Sequence, residues 1–302
     1  MTAIDTLLDG LADYAGLFPP ASLNMDAMVE QYAMGLAGPC ASMLGRVIVP
    51  AAKLGDFERA AAAALPGHAD DDPWCISALV RADDMDADLE TIATFNDEHV
   101  DPGNGLALID VIEVKAGDVE GIEAIASNLP EGLFAFVEIP IDSDPRGLLA
   151  ALAGDGLGAK IRTGGMTPEL YPDMGDVARF IVHAAAAEVP FKATAGLHHP
   201  LPNDNSDVPA RQLGFVNVFA AATFTQTAGL DVAAVHAVLE LADPDAFHFD
   251  GATLQVGEHT VSSAQLEACR LTLGTSFGSC SIDDPWSDLI ALGWLEPEPV
   301  SE

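Results

Sequence analysis

The sequence predicts an α/β protein, a single TIM-type (β/α)8 barrel spanning residues 1–302, and three observations carry that expectation. Short runs rich in Val, Ile, Ala and Phe recur every ~22 to 35 residues with helical stretches between them, the spacing of units whose parallel strands are joined by right-handed crossovers. The runs show little polar alternation, as expected of strands covered on both faces. Polar residues gather at the C-terminal ends of successive runs, where barrel active sites lie. A doubly wound nucleotide fold fits less well, because the first run ends in Val49-Pro50-Ala51-Ala52-Lys53 rather than in a Gly-rich turn.

Residues 4–15 and 25–37 carry apolar residues at helical spacing, separated by the break Leu17-Phe18-Pro19-Pro20-Ala21, with Asn24 as an N-cap. Two N-terminal helices are therefore expected within residues 1–40. The stretch Asp13 to Pro20 reads as the end of the first helix, capped by Gly16, in preference to a loop closing over the barrel mouth. Strands are expected at Arg46–Pro50, Trp74–Val80, Leu108–Lys115, Leu133–Pro140, Gly158–Thr163 and Pro190–Ala195, with helices such as 118–128, 144–153 and 175–187 between them. The last third is irregular. Phe215 to Ala228 reads as a strand or as a helix beginning near Asn217, and Phe247 to Gly257 reads as a hairpin, so strands seven and eight have no assigned place. The polar loop Leu201 to Asp207 is expected to act as a lid, and the tail 295–302 to fray.

Composition narrows the partners. Acidic residues outnumber basic ones 47 to 12, leaving a formal charge of -35, which repels phosphate backbones and anionic lipid surfaces. Neither nucleic acid nor membrane is expected as a partner, and a homo-oligomer stays open. The acidity fits saline surroundings, where salt screens self-repulsion, about as well as it fits an ordinary acidic cytosolic protein. No apolar stretch reaches the ~18 residues of a membrane span and the start lacks a basic region before an apolar core, so a cytoplasmic address is expected. Cys40, Cys75, Cys269 and Cys280 show no C-x-x-C spacing and are expected to be free thiols, with Cys280 buried and structural in preference to reactive.

The chemistry is expected at the strand ends. Only four lysines occur, and Lys115, Lys160 and Lys192 lie at the ends of apolar runs, where a cation is rarely buried without a partner. Glu113 and Lys115 are two apart and so project to the same side of their strand, as do Lys160 and Arg162. With Glu138 they bring two acids and several cations to one cavity. The alternative is an internal salt-bridge layer that merely fills the barrel. Arg162-Thr163-Gly164-Gly165 reads as either an anion cradle or a simple turn. Lys192, between Phe191 and Ala193, is expected to be desolvated, which lowers its proton affinity and favours an attacking amine.

The stretch Lys192-Ala193-Thr194-Ala195-Gly196 resembles the strand-end motif of class I aldolases of the deoxyribose-phosphate aldolase type, a lysine followed by small or hydroxyl residues and glycine. That resemblance implies a (β/α)8 barrel in which Lys192 forms a Schiff base and Lys160 tunes it by like-charge repulsion. The order differs, since the second lysine here precedes the motif strand and in those aldolases follows it. The runs Lys192 to Pro200 and Phe277 to Ser281 are also similar to runs in uncharacterised bacterial proteins, a likeness that implies no reaction.

The reading that emerges is a lyase acting on a small anionic carbonyl metabolite without a cofactor. Lys192, Lys160, Glu113, Glu138, His198 and His199 are the catalytic candidates, and Lys115, Arg162, Thr163, Gly164, Gly165, Thr194 and Asn217 the substrate-binding ones. Asn217 is equally well read as capping a turn. Two alternatives stay open. One is a metal-dependent hydrolase or isomerase using Glu113, Glu138 and the histidines, with His248 or Asp250 as further ligands, although no H-x-H or H-E-x-x-H spacing occurs. The other is a non-catalytic barrel that binds a small anion.

Overall fold

The computed structural model describes residues 1–204 and 208–297. Eight parallel strands close into a barrel: β1 (Ala12–Tyr14), β2 (Leu44–Pro50), β3 (Trp74–Leu79), β4 (Ala107–Lys115), β5 (Phe134–Glu138), β6 (Gly158–Arg162), β7 (Phe191–Thr194) and β8 (Gly274–Ser279). The order around the barrel is sequential, with β8 hydrogen-bonded to β1. Helices α1 (Ala3–Leu8), α2 (Met25–Leu36), α3 (Leu54–Ala61), α4 (Met85–His99), α5 (Val119–Asn128), α6 (Arg146–Asp155) and α7 (Met174–Ala186) follow the strands outside it, with α1 preceding β1. Between β7 and β8 lie α8 (Phe215–Ala228), α9 (Val232–Glu240) and α10 (Ser263–Thr272), and α11 (Asp283–Ala291) follows β8. Among the described residues no helix is long and apolar enough to cross a membrane.

The six expected strands appear as β2 to β7, but they are not the first six. The helix expected over 4–15 ends at Leu8. Thr2 and Asp5 form a capping box at its start, and Gly10, at φ +56°, turns the chain out of the helix. Ala12, Asp13 and Tyr14 then run extended, because the edges of β2 and β8 are available on both sides of them. Local spacing cannot register that edge, and a three-residue strand carries almost no periodicity of its own. Asp13 is therefore a buried strand residue, not a helix end.

Phe215 to Ala228 is a helix, α8, buried along most of its length. Its lack of a polar face has a packing cause: Phe215 stacks on Phe277 of β8 and Phe219 on Phe191 of β7, while Thr223 and Thr225 donate their hydroxyls back to the helix carbonyls. The hairpin at Phe247–Asp250 and Thr253–Val256 is present, extended by His259–Ser262 into a three-stranded antiparallel sheet outside the barrel. His248 and Asp250 lie there, on exposed positions of that outer sheet, and do not line the mouth cavities. In the expected lid, Asn203–Asp204 pairs with Arg211–Gln212 as a short hairpin, whereas 205–207 lie outside the described residues, as does the 298–302 part of the expected frayed tail.

Candidate active site at the barrel mouth

Parallel register sets the inward side chains at matching heights. Lys160 on β6 pairs with Glu138 on β5 and Lys192 on β7, Lys115 on β4 pairs with Glu138, and Arg162 pairs with Thr194. The result is a layer of charged side chains at one height, in which Glu138 lies in register with both Lys115 and Lys160. Lys192 Nζ, fully buried, donates to Asp13 Oδ2 and to Glu113 Oε1, each at 2.6 Å. Ser276 Oγ donates to Asp13 Oδ2 and Ser77 Oγ to Glu113 Oε1, each at 2.8 Å. Lys160 Nζ lies 2.7 Å from Glu113 Oε2 and 3.1 Å from Glu138 Oε2. Lys115 Nζ, at 2.8 Å, and Arg162 Nε, at 3.4 Å, complete the set on Glu138 Oε1.

Four cations thus face three carboxylates, Asp13, Glu113 and Glu138, in a chain whose formal charge is -35. Burial alone would raise the Glu113 carboxyl, but the Lys160 and Lys192 ammoniums hold it far below the usual carboxylate range. Glu138 is likewise lowered against its burial, by Lys160, then Lys115 and Arg162. For Lys192 the expected depression is corrected. Burial does push its proton affinity down, but Asp13 and Glu113 outweigh it, and its pKa is raised. It is an ammonium held between two carboxylates.

Above this layer opens a cavity of ≈ 520 Å³, within the range of small-molecule sites. Lys160, Glu113, Glu138, Lys115 and Arg162 line it, Thr194 and His198 form part of the wall, and Ile48, Leu79, Phe18 and Met166 supply apolar surface. Lys192 does not line it. Of the two buried lysines, Lys160, 6% exposed, is the one that reaches the cavity. Glu113 Oε2 and Glu138 Oε2, the oxygens beside Lys160, receive no aligned hydrogen bond among the described residues, so each keeps acceptor capacity next to that amine.

The glycines after β6 and β7 are needed for close approach. A Cβ on Gly164 would lie 2.7 Å from Gly196 Cα, and one on Gly196, at φ +76°, 2.7 Å from the Thr163 carbonyl oxygen. Thr163, buried, spends its hydroxyl on the Thr194 and Ala195 carbonyls, so it fixes this crossing rather than offering itself to an anion. Ala195, at φ +62°, is a non-glycine residue in the left-handed region at the cavity wall, a conformation sustained only where surrounding contacts impose it. Gly165 packs against Leu170 and also lines the cavity.

The two histidines separate, as adjacent residues do. His198 faces the cavity, with Nδ1 3.9 Å from Cys280 Sγ; burial, and then the neighbouring His199, lower its pKa and keep the ring neutral. His199 points to α11, where its Nδ1 meets Asp288 Oδ2 at 2.5 Å, and it does not line the main cavity. Asn217 is corrected as a substrate-binding candidate. It is buried under α8, donating to the carbonyls of Val238 and Leu241 at the end of α9, at 2.7 and 2.8 Å. Among the described residues no three His, Cys, Asp or Glu side chains converge as a metal set.

No protein-family model, no curated protein and no solved structure matches this chain. Its chemistry is therefore read from the site alone. The residue missed in the sequence was Asp13. The usable signal was an acid between alanine and tyrosine in an otherwise apolar stretch, Leu11-Ala12-Asp13-Tyr14, because a carboxylate so placed needs a cation if it is buried.

Proposed function

We propose that this barrel is a lyase acting on a small anionic carbonyl compound through a Schiff base, with Lys160 rather than Lys192 as the amine. The observation that carries this reading is that Lys160 is the buried lysine reaching the mouth cavity, flanked by two carboxylate oxygens with acceptor capacity to spare. Lys160-Ile161-Arg162-Thr163-Gly164 is itself a strand-end lysine followed by a hydroxyl residue and glycine. With Lys160 as nucleophile, Lys192 lies on the strand that follows, which is the order of the aldolases that the sequence resembles.

The roles divide as follows. Lys115 and Arg162, with the local excess of positive charge, hold the substrate's carboxylate or phosphate. Lys160 gives up one proton to solvent in the cavity and attacks the carbonyl carbon; the carbonyl oxygen takes up one proton from solvent and one from the nitrogen and leaves as water, giving an iminium. A carboxylate then takes the proton of the substrate's β-hydroxyl as the adjacent carbon–carbon bond breaks and its electron pair enters the iminium. Reprotonation of the resulting enamine and addition of water release the second product and restore the amine. Lys192 takes no part in bond making. By holding Glu113 Oε1 at 2.6 Å it fixes the carboxylate whose other oxygen, Oε2, lies 2.7 Å from Lys160. His198, neutral at the wall, is placed to order water or relay a proton.

The test is borohydride trapping with glyoxylate, pyruvate and small aldehydes, followed by peptide mass spectrometry. A mass increase at Lys160 that disappears in Lys160→Met supports the assignment. Modification at Lys192 overturns the choice of lysine. Anion binding with no adduct anywhere leaves a non-catalytic binding barrel.

A further inference from the structure

The charged groups of the mouth cavity gather on one side of it. Glu113 and Lys115 come from β4, Glu138 from β5, and Lys160 and Arg162 from β6. Across the ring, where β2 stands opposite β6, the lining side chains are Ile48 of β2, Leu79 at the end of β3 and Phe18 from the loop after β1. Arg81 and Asp83, just beyond Leu79, are exposed at the rim, and Arg81 is neutralised there by Asp84 and Asp88, at 2.6 and 2.7 Å.

The apolar side is not spent on holding the fold. Val47 and Val49 belong to the hydrophobic core that joins barrel to helices, whereas Ile48, between them, faces the interior and does not; nor do Phe18 and Leu79. Met166 and Leu170, after β6, add apolar surface at the mouth and stand 58% and 39% exposed. Gly278 of β8 widens the space beside Ile48. A Cβ there would meet Ile48 Cδ1 and Thr194 Oγ1 at an ordinary 3.4 Å, so no close approach requires glycine at that point. Apolar surface left open in a cleft marks a ligand site rather than a packing face. A second chamber of ≈ 350 Å³ adjoins this one and shares Met166, His198 and Cys280 with it, but Phe18, Ile48 and Leu79 line the first alone.

From this division we propose that the substrate is an anionic carbonyl compound with an apolar substituent, its carbonyl over Lys160 and its substituent against Ile48, Leu79 and Phe18. The proposal names the substrate class for the reaction inferred above and rests on that reading for the placement of the carbonyl. The bond that breaks lies between the two ends. The apolar end therefore leaves as an aldehyde, its hydroxyl proton having gone to the carboxylate and the bond's electron pair to the iminium. A hydroxylated substituent would give up its water for a wall that offers no hydrogen bond.

The experiment measures three 2-oxo acids of equal charge by calorimetry: pyruvate, 2-oxohexanoate, and 2-oxo-3-deoxygluconate, which matches 2-oxohexanoate in length but carries hydroxyls. Wild type is expected to bind 2-oxohexanoate at least about tenfold tighter than either of the others. Each methylene moved from water to an apolar wall yields about fourfold, and three separate it from pyruvate. The margin over pyruvate is expected to shrink at least about threefold in Ile48→Thr. The same is expected in Leu79→Asn, whose half-buried position outside the core keeps the test open if Ile48→Thr does not fold. Equal affinity for 2-oxohexanoate and either other acid in wild type, or a margin unchanged in a folded variant, overturns the proposal. Borohydride trapping of the same samples reads the amine chemistry separately. An apolar preference without an adduct keeps the apolar wall and removes the Schiff base, while an adduct at Lys160 with equal affinities does the reverse.

Discussion

Replacing Lys192 with methionine should destabilise the protein far more than a single exposed lysine would, and by an amount the geometry bounds. Met fills nearly the same volume, so little packing is lost. What remains is Asp13 and Glu113, both buried, without the ammonium that bridged them at 2.6 Å. Glu113 keeps Lys160 and Ser77. Asp13 keeps only the Arg46 backbone N–H and the Ser276 hydroxyl, and Lys192 is its sole ion-pair partner among the described residues. Leaving one buried charge uncompensated costs about 3–5 kcal/mol. In a chain of this size that corresponds to a fall in Tm of roughly 5–8 °C. Asp13→Asn should cost less, about 2 kcal/mol, because Glu113 still neutralises Lys192. The double variant Asp13→Asn/Lys192→Met removes one charge of each sign and should therefore be more stable than Lys192→Met alone, by about 2 kcal/mol. Urea unfolding followed by circular dichroism, at fixed salt and with the m-values compared, reads all four corners of the cycle. A Lys192→Met protein as stable as wild type, or a double variant no better than that single one, would refute an ammonium bridging two carboxylates.

Other outcomes follow from the same contacts. The lowered Glu113 and Glu138 pKa values give stability that is complete above their unfolded values near ~4.3 and is lost as pH falls toward the folded ones. The raised Lys192 pKa gives stability complete below ~10.4 that is lost as pH rises through its folded value, so these three groups together lower Tm on the acid and on the alkaline side. A Lys192→Met protein that retained the full alkaline fall would refute the second half. Asn217→Ala should destabilise by roughly 2–4 kcal/mol by stranding the Val238 and Leu241 carbonyls, and should leave calorimetric affinity for 2-oxo acids unchanged. The Cys280 thiol, raised by burial, should react slowly with iodoacetamide at pH 7 and more slowly still with a ligand in either chamber, as peptide mass spectrometry would show; faster alkylation on ligand binding would count against its position at their junction.

The barrel was legible in the sequence because its evidence is local. Apolar runs such as Arg46–Pro50 and Gly158–Thr163 need cover on both faces whatever surrounds them, and helical stretches separate them at βα spacing. The same logic marked Glu113, Glu138, Lys160, Lys192 and Arg162, since charges two residues apart at the end of an apolar strand must face a common interior. What the tertiary structure alone decided was closure and pairing. Ala12–Tyr14 and Gly274–Ser279 are strands because each completes the other's hydrogen bonding, and a Gly/Ser/Thr-rich segment has no intrinsic reason to be one. That closure brings Asp13 across 179 positions of sequence to Lys192, turning the expected desolvated amine into a paired ammonium and leaving Lys160 as the buried lysine at the cavity. A side chain's charge state depends on the partner that the fold delivers, and no window of neighbouring residues contains it.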